Sequence, residues 1–345
     1  MFKPSFLISA RSVMLILLTS LLVCQSATAK TYKIATVSPD GLGWMKKMRA
    51  GVKRINKLTE GRVKIKIYPG GVQGDDYTVL RKMRIGQLHG GVITASSLTR
   101  YYPDLQIYNL PLQFRNSEEV DYVRDRMDER IINGLYDNGM VSFNLFETGF
   151  AYLMTQSPVR SVRDLQNVKA WVPDGDPISA KLMQSFGVSP IPLPIVDVLA
   201  GLQTGLIDAV IVPPNAALAL QWHNQVSYVT NLPLVYIYSM MAMDKKSFNS
   251  MTTEDQAVVR KVLNGVFSQV DADNRVENID AYKALLTQGI KEVEPDLNKM
   301  EVWQSQAEQS VENLVRDGSL TQESLDLLRK YLAAVRSTVA DQTGE

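Results

Sequence analysis

The chain of 345 residues contains one cysteine and two histidines. The cysteine, Cys24, falls in an N-terminal segment that reads as a secretory leader, so the remainder is expected to carry no thiol and no disulfide. His89 and His223 stand far apart with no HExxH or Cys/His spacing, which argues against a zinc site. No P-loop and no GxGxxG follows a strand-like run, and GxSxG is absent, so nucleotide, dinucleotide and serine-hydrolase chemistry have no motif to stand on. No cofactor is expected, and no nucleophile, base and orienting group assemble into an enzyme. Strong charge of either sign is also missing. Losing residues 1–29, which hold Lys3 and Arg11 and no acidic residue, takes the formal net charge from +1 to −1. No basic stripe for nucleic acid is implied.

What is present begins with that leader. Lys3 and Arg11 precede an apolar run from Val13 to Cys24, and Ala27-Thr28-Ala29 supplies a small-residue cleavage site, so the mature chain is expected to start near Lys30. The run is shorter than the roughly 20 apolar residues a membrane-spanning helix needs. A lipoprotein reading at Cys24 is disfavoured by Val23, where a small residue belongs. The expected compartment is the periplasm.

Beyond the leader, strand and helix patterns alternate, the signature of an α/β architecture. Thr31–Val37 reads as a buried strand. Met45, Met48, Val52 and Ile55 recur at helical spacing within 43–59, and Val63, Ile65 and Ile67 alternate with Lys64 and Lys66 as a half-buried strand. A helix over 75–87 and a small-residue strand over 90–95 follow. A second block carries strands over 151–155, 168–172 and 206–212 and helices over 177–186 and 196–203, with VRDLQ as a polar turn. The last third is helical. Thr252 and Asp255 form a start signal, and no proline interrupts the chain from there to Gln288, so one helix of roughly 35 residues, about 50 Å long, is expected to span both blocks. The expected organisation is one lobe from residues 30–150 plus about 235–260, a second from 151–234, the spanning helix at about 252–288, and a C-terminal helical segment, 289–345, packed on the lobes.

In open α/β sheets ligands bind beyond the carboxyl ends of strands. The loops after Val37 and after Ala95 are therefore cleft candidates, and an exported two-lobed α/β chain without a catalytic set points to a solute receptor whose lobes close on a ligand.

The run LTEGRVKIKIYPGGVQGDDYTVLRKMRIGQLHGG, with YYPDLQIYNLPLQF, SVRDLQNVKAWVP, SPIPLPIVDVLAGLQTGLIDA and the helix after MTTED, resembles the solute receptors of tripartite ATP-independent periplasmic (TRAP) transporters of the dicarboxylate-receptor type. The resemblance implies a monomeric clamshell that passes a small organic acid to the small and large membrane subunits of an ion-driven permease. It also implies an arginine, the usual clamp on the ligand carboxylate, at the position held here by Trp171. Other ligand contacts implied by the family fall on Val37, Thr94, Tyr152, Ile195 and Val212. Asp76, beyond Gly74, and Ser96 complete the candidate set, with helix capping by Asp75 and Asp76 and turn capping by Thr94, Ser96 and Ser97 as the plainer roles.

These substitutions replace an ion clamp with apolar and stacking surface. Trp171 alone can cover about 200 Å², an upper limit near 5 kcal/mol at about 25 cal/mol per Å². The expected ligand is thus less polar or more aromatic than a short dicarboxylate. Two alternatives stay open: an organic-acid receptor whose anion is held by Arg100, Lys46 or Lys169, with Trp171 as packing, and a receptor presenting its ligand to a periplasmic sensor.

Overall fold

The computed structural model describes residues 29–343. The expected leader, apart from Ala29, lies outside the described residues, and so does Cys24.

The first lobe is laid down by β1 (Lys30–Ala35), α1 (Gly43–Leu58), β2 (Val63–Tyr68), α2 (Asp76–Arg84), β3 (Gly90–Thr94), α3 (Ser117–Asp137), β4 (Met140–Ser142) and the start of the ten-residue strand β5 (Phe146–Thr155). The second lobe contains α4 (Val162–Leu165), β6 (Trp171–Pro173), α5 (Pro177–Ser185), β7 (Ile191–Leu193), α6 (Val198–Thr204), β8 (Ala209–Val212), α7 (Pro214–Ala219) and β9 (Tyr228–Thr230). The chain then returns along β10 (Val235–Asp244) through α8 (Lys245–Asn249) into α9 (Thr253–Thr287), β11 (Lys291–Val293), α10 (Met300–Arg316) and α11 (Gln322–Thr343). None of these helices is long and apolar enough to cross a membrane.

One sheet runs through both lobes in the order β11-β9-β5-β10-β3-β1-β2, with β4 also on β10 and β8 also on β5. Strands β1, β2 and β3 are parallel, and β10 is antiparallel to both β3 and β5. The alternation at 63–67 is an edge strand: Val63 is buried, Ile65 and Ile67 are half-covered, and the lysines face water, as a sheet edge requires. Helices cover both faces of the first-lobe sheet. Val120, Val123 and Met127 of α3 and Leu325 and Leu328 of α11 form the core on one side. Met48 and Ile55 of α1 and Val259, Leu263 and Phe267 of α9 form it on the other. Met240, Met241 and Met243 are buried core residues.

Two local expectations are corrected. VRDLQ is not a plain turn but a one-turn helix, α4, opened by a reciprocal capping box between Ser161 and Asp164. The strand expected over 168–172 is reduced to β6, joined to β8 only by a bridge at Ala170 and Ala209. The cause is Asp208: its Oδ1 accepts the Lys169 N–H at 2.7 Å, so a side chain takes a group that a strand ladder would use.

The lobes are joined where β5 and β10 cross. Their register shifts between Ile237 and Tyr238, opposite Gly149 and Glu147, so Thr148 is the extra residue of a bulge. A bulge leaves backbone groups without ladder partners, and α9 supplies them. Asp271 Oδ1 accepts the Glu147 N–H at 2.6 Å, Asn274 Nδ2 donates to the Glu147 carbonyl at 2.7 Å, and Asn278 Nδ2 donates to the Thr148 carbonyl at 2.8 Å. The spacing 271, 274, 278 puts all three on one helix face. Arg124 of α3 pairs with Asp271 at 2.8 Å and Arg275 with Glu147 at 2.7 Å, which closes the network around two buried charges. Burial still pushes the Glu147 carboxyl above its ordinary range despite Arg275.

Replacing Asn274, which is buried, with Leu strands the Glu147 carbonyl without a donor. Asn274→Leu is expected to cost about 1–3 kcal/mol in denaturant unfolding. An unchanged unfolding midpoint would show that the bulge does not depend on the helix.

Candidate functional site

Between the lobes lie two contiguous chambers of ≈ 260 and ≈ 210 Å³. The first lobe presents the carboxyl ends of β1 and β3 and the start of α2, and the second presents the ends of β6 and β8. Thr148 of the bulge lines both chambers, so the crossing strands contribute part of the cleft wall. The lobes also touch nearby: a Cβ placed on Gly71 would lie 3.2 Å from Val196, and one on Gly175 3.5 Å from Tyr77.

Seven of the eight residues singled out from sequence line the first chamber: Val37, Asp76, Thr94, Ser96, Trp171, Ile195 and Val212. Val37, Asp76, Thr94 and Ile195 line the second as well. Tyr152 does not line either. It sits in a separate hollow beside α9, its ring 5.0 Å from that of Tyr282. Strand parity explains this. The cleft residues Val235 and Ile237 of β10 stand opposite Ala151 and Gly149, so one step along β5 turns Tyr152 to the other face. Val212, paired with Tyr152, borders the chamber as the last residue of β8.

Trp171 is half-buried and fixed by two contacts. Its Nε1–H donates to the Leu193 carbonyl at 2.9 Å on the neighbouring strand β7, and its ring meets the fully buried Trp222 edge to face at 5.1 Å. The indole therefore has its polar atom satisfied and offers apolar surface to the chamber. Trp222, on a short 3₁₀ turn, both packs its lobe and lines the chamber.

Asp75 and Asp76 part company. Asp75 caps α2, accepting the Thr78 N–H at 2.7 Å. Asp76 is buried, and its Oδ2 accepts from the Thr94 N–H at 2.9 Å, the Thr94 hydroxyl at 2.7 Å and the Ser97 hydroxyl at 3.4 Å. Burial pushes its carboxyl up to about 6, although the Thr94 donors oppose the shift. Asp176 caps α5 through Ser179 N–H and hydroxyl contacts. Burial, and then the charge of Asp176, raise the neighbouring Tyr77 hydroxyl.

Several lining residues were missed by the sequence reading. Gln106, on the 3₁₀ turn that begins at Pro103, and Asn109, just past its end, are buried and line the first chamber, yet the Gln106 Nε2 and Asn109 Oδ1 atoms have no hydrogen-bond partner among the described residues. The Tyr77 hydroxyl is likewise unpartnered. Both amides lie in YYPDLQIYNLPLQF, where nothing in spacing or type marks them as facing a ligand.

No Lys or Arg appears among the described residues lining either chamber, whereas Asp75, Asp76, Asp174, Asp176 and Glu277 do. The cations considered as alternative clamps lie elsewhere. Lys169 Nζ donates to the Gly205 carbonyl, Arg100 lies near the Tyr101 ring, and Lys46 is exposed on α1. Among the described residues no three His, Cys, Asp or Glu side chains gather to hold a metal ion.

The family model for bacterial extracellular solute-binding protein, family 7, matches residues 34–317. A solute-binding protein of Roseobacter denitrificans is 24% identical over 207 residues, 59% of this chain and 63% of that protein. The 2,3-diketo-L-gulonate-binding periplasmic protein of Escherichia coli is 22% identical over 59% of this chain and 62% of that protein. The matched stretch thus spans about three fifths of these curated relatives. The crystal structure of a TRAP periplasmic solute binding protein from Xanthobacter autotrophicus, with bound β-D-galacturonate, superposes with a TM-score of 0.79 at 21% identity, covering 88% of this chain and 99% of that one. The family is one of binding receptors and not of enzymes, and the two-lobed α/β architecture expected from sequence is shared with such structures. With the family match running through both lobes, the spanning helix and α10, this chain belongs to the family-7 bacterial extracellular solute-binding proteins.

Proposed function

We propose that the protein is the periplasmic receptor of a TRAP-type secondary transporter. In this reading a leader over residues 1–29 is cleaved after export, and the mature monomer closes its two lobes on a small organic ligand. It then delivers that ligand to the small and large membrane subunits of a permease. Family membership and the interlobe cleft support the receptor role.

One observation carries the choice of ligand: the cleft combines Trp171, Trp222, Ile195 and Val212 with no lining Lys or Arg among the described residues. An enclosed carboxylate without a cationic partner is strongly disfavoured, because several kcal/mol of lost hydration must be offset by the site. Apolar contact needs no such partner. The ligand is therefore less polar than a short dicarboxylate and has an aromatic or aliphatic body that lies against Trp171. The hexuronate and sugar-acid ligands of related structures favour a second reading, an organic acid whose carboxylate is held by neutral donors alone.

Native mass spectrometry of the protein purified from the periplasm, followed by denaturation, decides between them. Release of a stoichiometric molecule with an apolar or aromatic body is expected. Release of a short dicarboxylate or a hexuronate would establish the second reading and overturn the first.

Trp171→Ala is expected to weaken affinity for the released ligand by roughly 10- to 100-fold while the ligand-free protein loses only a few degrees in Tm. A purely structural tryptophan would give the opposite pattern, a stability loss of about 3–5 kcal/mol with affinity unchanged.

The Asp76 carboxyl sits at about 6 in the folded protein, against about 3.9 in an unfolded chain. The folded state thus holds the proton more tightly, so the stability it contributes is full below about pH 4 and lost as the pH rises through about 6. Ligand-free protein is expected to lose up to about 3 kcal/mol from this group between pH 4 and 7.5, a slope that Asp76→Asn flattens. Urea unfolding across that range measures it, and an identical pH slope in the variant would refute the assignment.

A further inference from the structure

The chambers meet at a carboxylate. Asp76 is shared by both, at the first turn of α2, and its buried position is 9% exposed. All three donors found on it, from Thr94 and Ser97, converge on Oδ2. Oδ1 has no hydrogen-bond donor and no salt-bridge partner among the described residues. If Asp76 served only to tie the end of β3 to the start of α2, the Oδ2 contacts would suffice, and cationic side chains would have no reason to be kept from the walls. The walls instead carry further carboxylates, Asp174 and Asp176 in the first chamber and Glu277 in the second. A negative charge brought beside Asp76 is repelled at short range in a poorly screened site, whereas a positive one offsets the burial cost of the carboxylate.

An independent feature points the same way. Gln106 and Asn109, 1% and 7% exposed, line the first chamber with an amide nitrogen and an amide oxygen left unpartnered. Buried polar atoms are almost always paired, so these two call for a ligand group that both accepts and donates, such as a hydroxyl or an amide.

We propose that the ligand carries a cationic nitrogen, an ammonium or guanidinium group, that seats on Asp76 Oδ1 where the two chambers meet, with its apolar body against Trp171. This rests on the receptor reading above and adds the sign of the ligand's charge. A polar group elsewhere on the ligand reaches Gln106 and Asn109. The aromatic walls add to the selection, since Trp171 and Trp222 in one chamber and Trp44 in the other offer ring surface to a cation as well as to an apolar body.

Three probes of one shape separate charge from shape: phenethylamine, phenethyl alcohol and hydrocinnamate, each titrated calorimetrically into ligand-free protein near neutral pH. Phenethylamine is expected to bind most tightly, at least about ten-fold better than hydrocinnamate, with the alcohol between them. Asp76→Asn is expected to remove the advantage of the amine over the alcohol. Hydrocinnamate binding as well as the amine, or an amine advantage that survives Asp76→Asn, overturns the inference. If the alcohol and hydrocinnamate bind and the amine does not, the cationic ligand falls while the apolar cleft stands. If none of the three binds, both fall. Should the Asn variant fail to fold, the ranking in the native protein decides alone.

Discussion

The contact that both lobes depend on is the row of polar groups by which α9 holds the bulge of β5. A strand pair that passes from one lobe to the other must break its ladder where the lobes diverge, and here the broken groups belong to Glu147 and Thr148. Water would satisfy them at a surface, but at this depth a side chain must. Asp271, Asn274 and Asn278 do so from one face of a single helix, while Arg124 pairs with the half-buried Asp271 and Arg275 neutralises the Glu147 carboxylate that burial would otherwise penalise. The composition of α9 follows from this. Its apolar residues serve the first-lobe core at one end, through Val259 and Phe267, and the second-lobe core at the other, through Leu285, with polar residues between. A helix of about 50 Å whose two ends belong to different cores is a mechanical link between lobes.

The cleft inherits its position from that link. Thr148, pushed out by the bulge, lines both chambers, and its hydroxyl is within 2.9 Å of Ser239 on the partner strand. Two glycines then let the lobes meet, Gly71 against Val196 and Gly175 against Tyr77. Both have positive φ, 70° and 76°, where a side chain would strain the turn, and at Gly71 a Cβ would also crowd Val196. Recognition by an arginine clamp concentrates binding in two directed bonds. In the proposed reading the second-lobe wall spreads it over Trp171, Trp222, Ile195 and Val212, and directed contacts are left to the first lobe through Asp76, Gln106 and Asn109.

Much of this was legible before any coordinates, because it is local. The 3.6-residue recurrence of Met45, Met48 and Ile55 marks α1, the alternation of Val63, Ile65 and Ile67 marks β2, and Thr252 opens α9 by accepting the Asp255 N–H. Seven cleft residues were also reachable, because strand ends and the resemblance to solute receptors name positions along the chain. Tyr152 was placed wrongly relative to the cleft by one step on a strand, where one step reverses the face. The strand expected at 168–172 failed for a related reason: the Asp208 side chain claims the Lys169 N–H from a distant point of the chain.

What the sequence determined by itself is therefore the α/β alternation, the spanning helix, the want of a catalytic or metal motif, and the apolar residue types available at the strand ends. These depend on neighbours within a turn or a strand, where periodicity and capping speak directly. Only the tertiary structure decided that Asp76 is the carboxylate common to both chambers while Asp75 caps α2, that Gln106 and Asn109 leave amide atoms unpaired in the first chamber, and that Lys46, Arg100 and Lys169 stand away from both. The physical reason is that burial, partnering and charge balance are sums over groups far apart in the chain, and folding alone brings those groups within reach of one another.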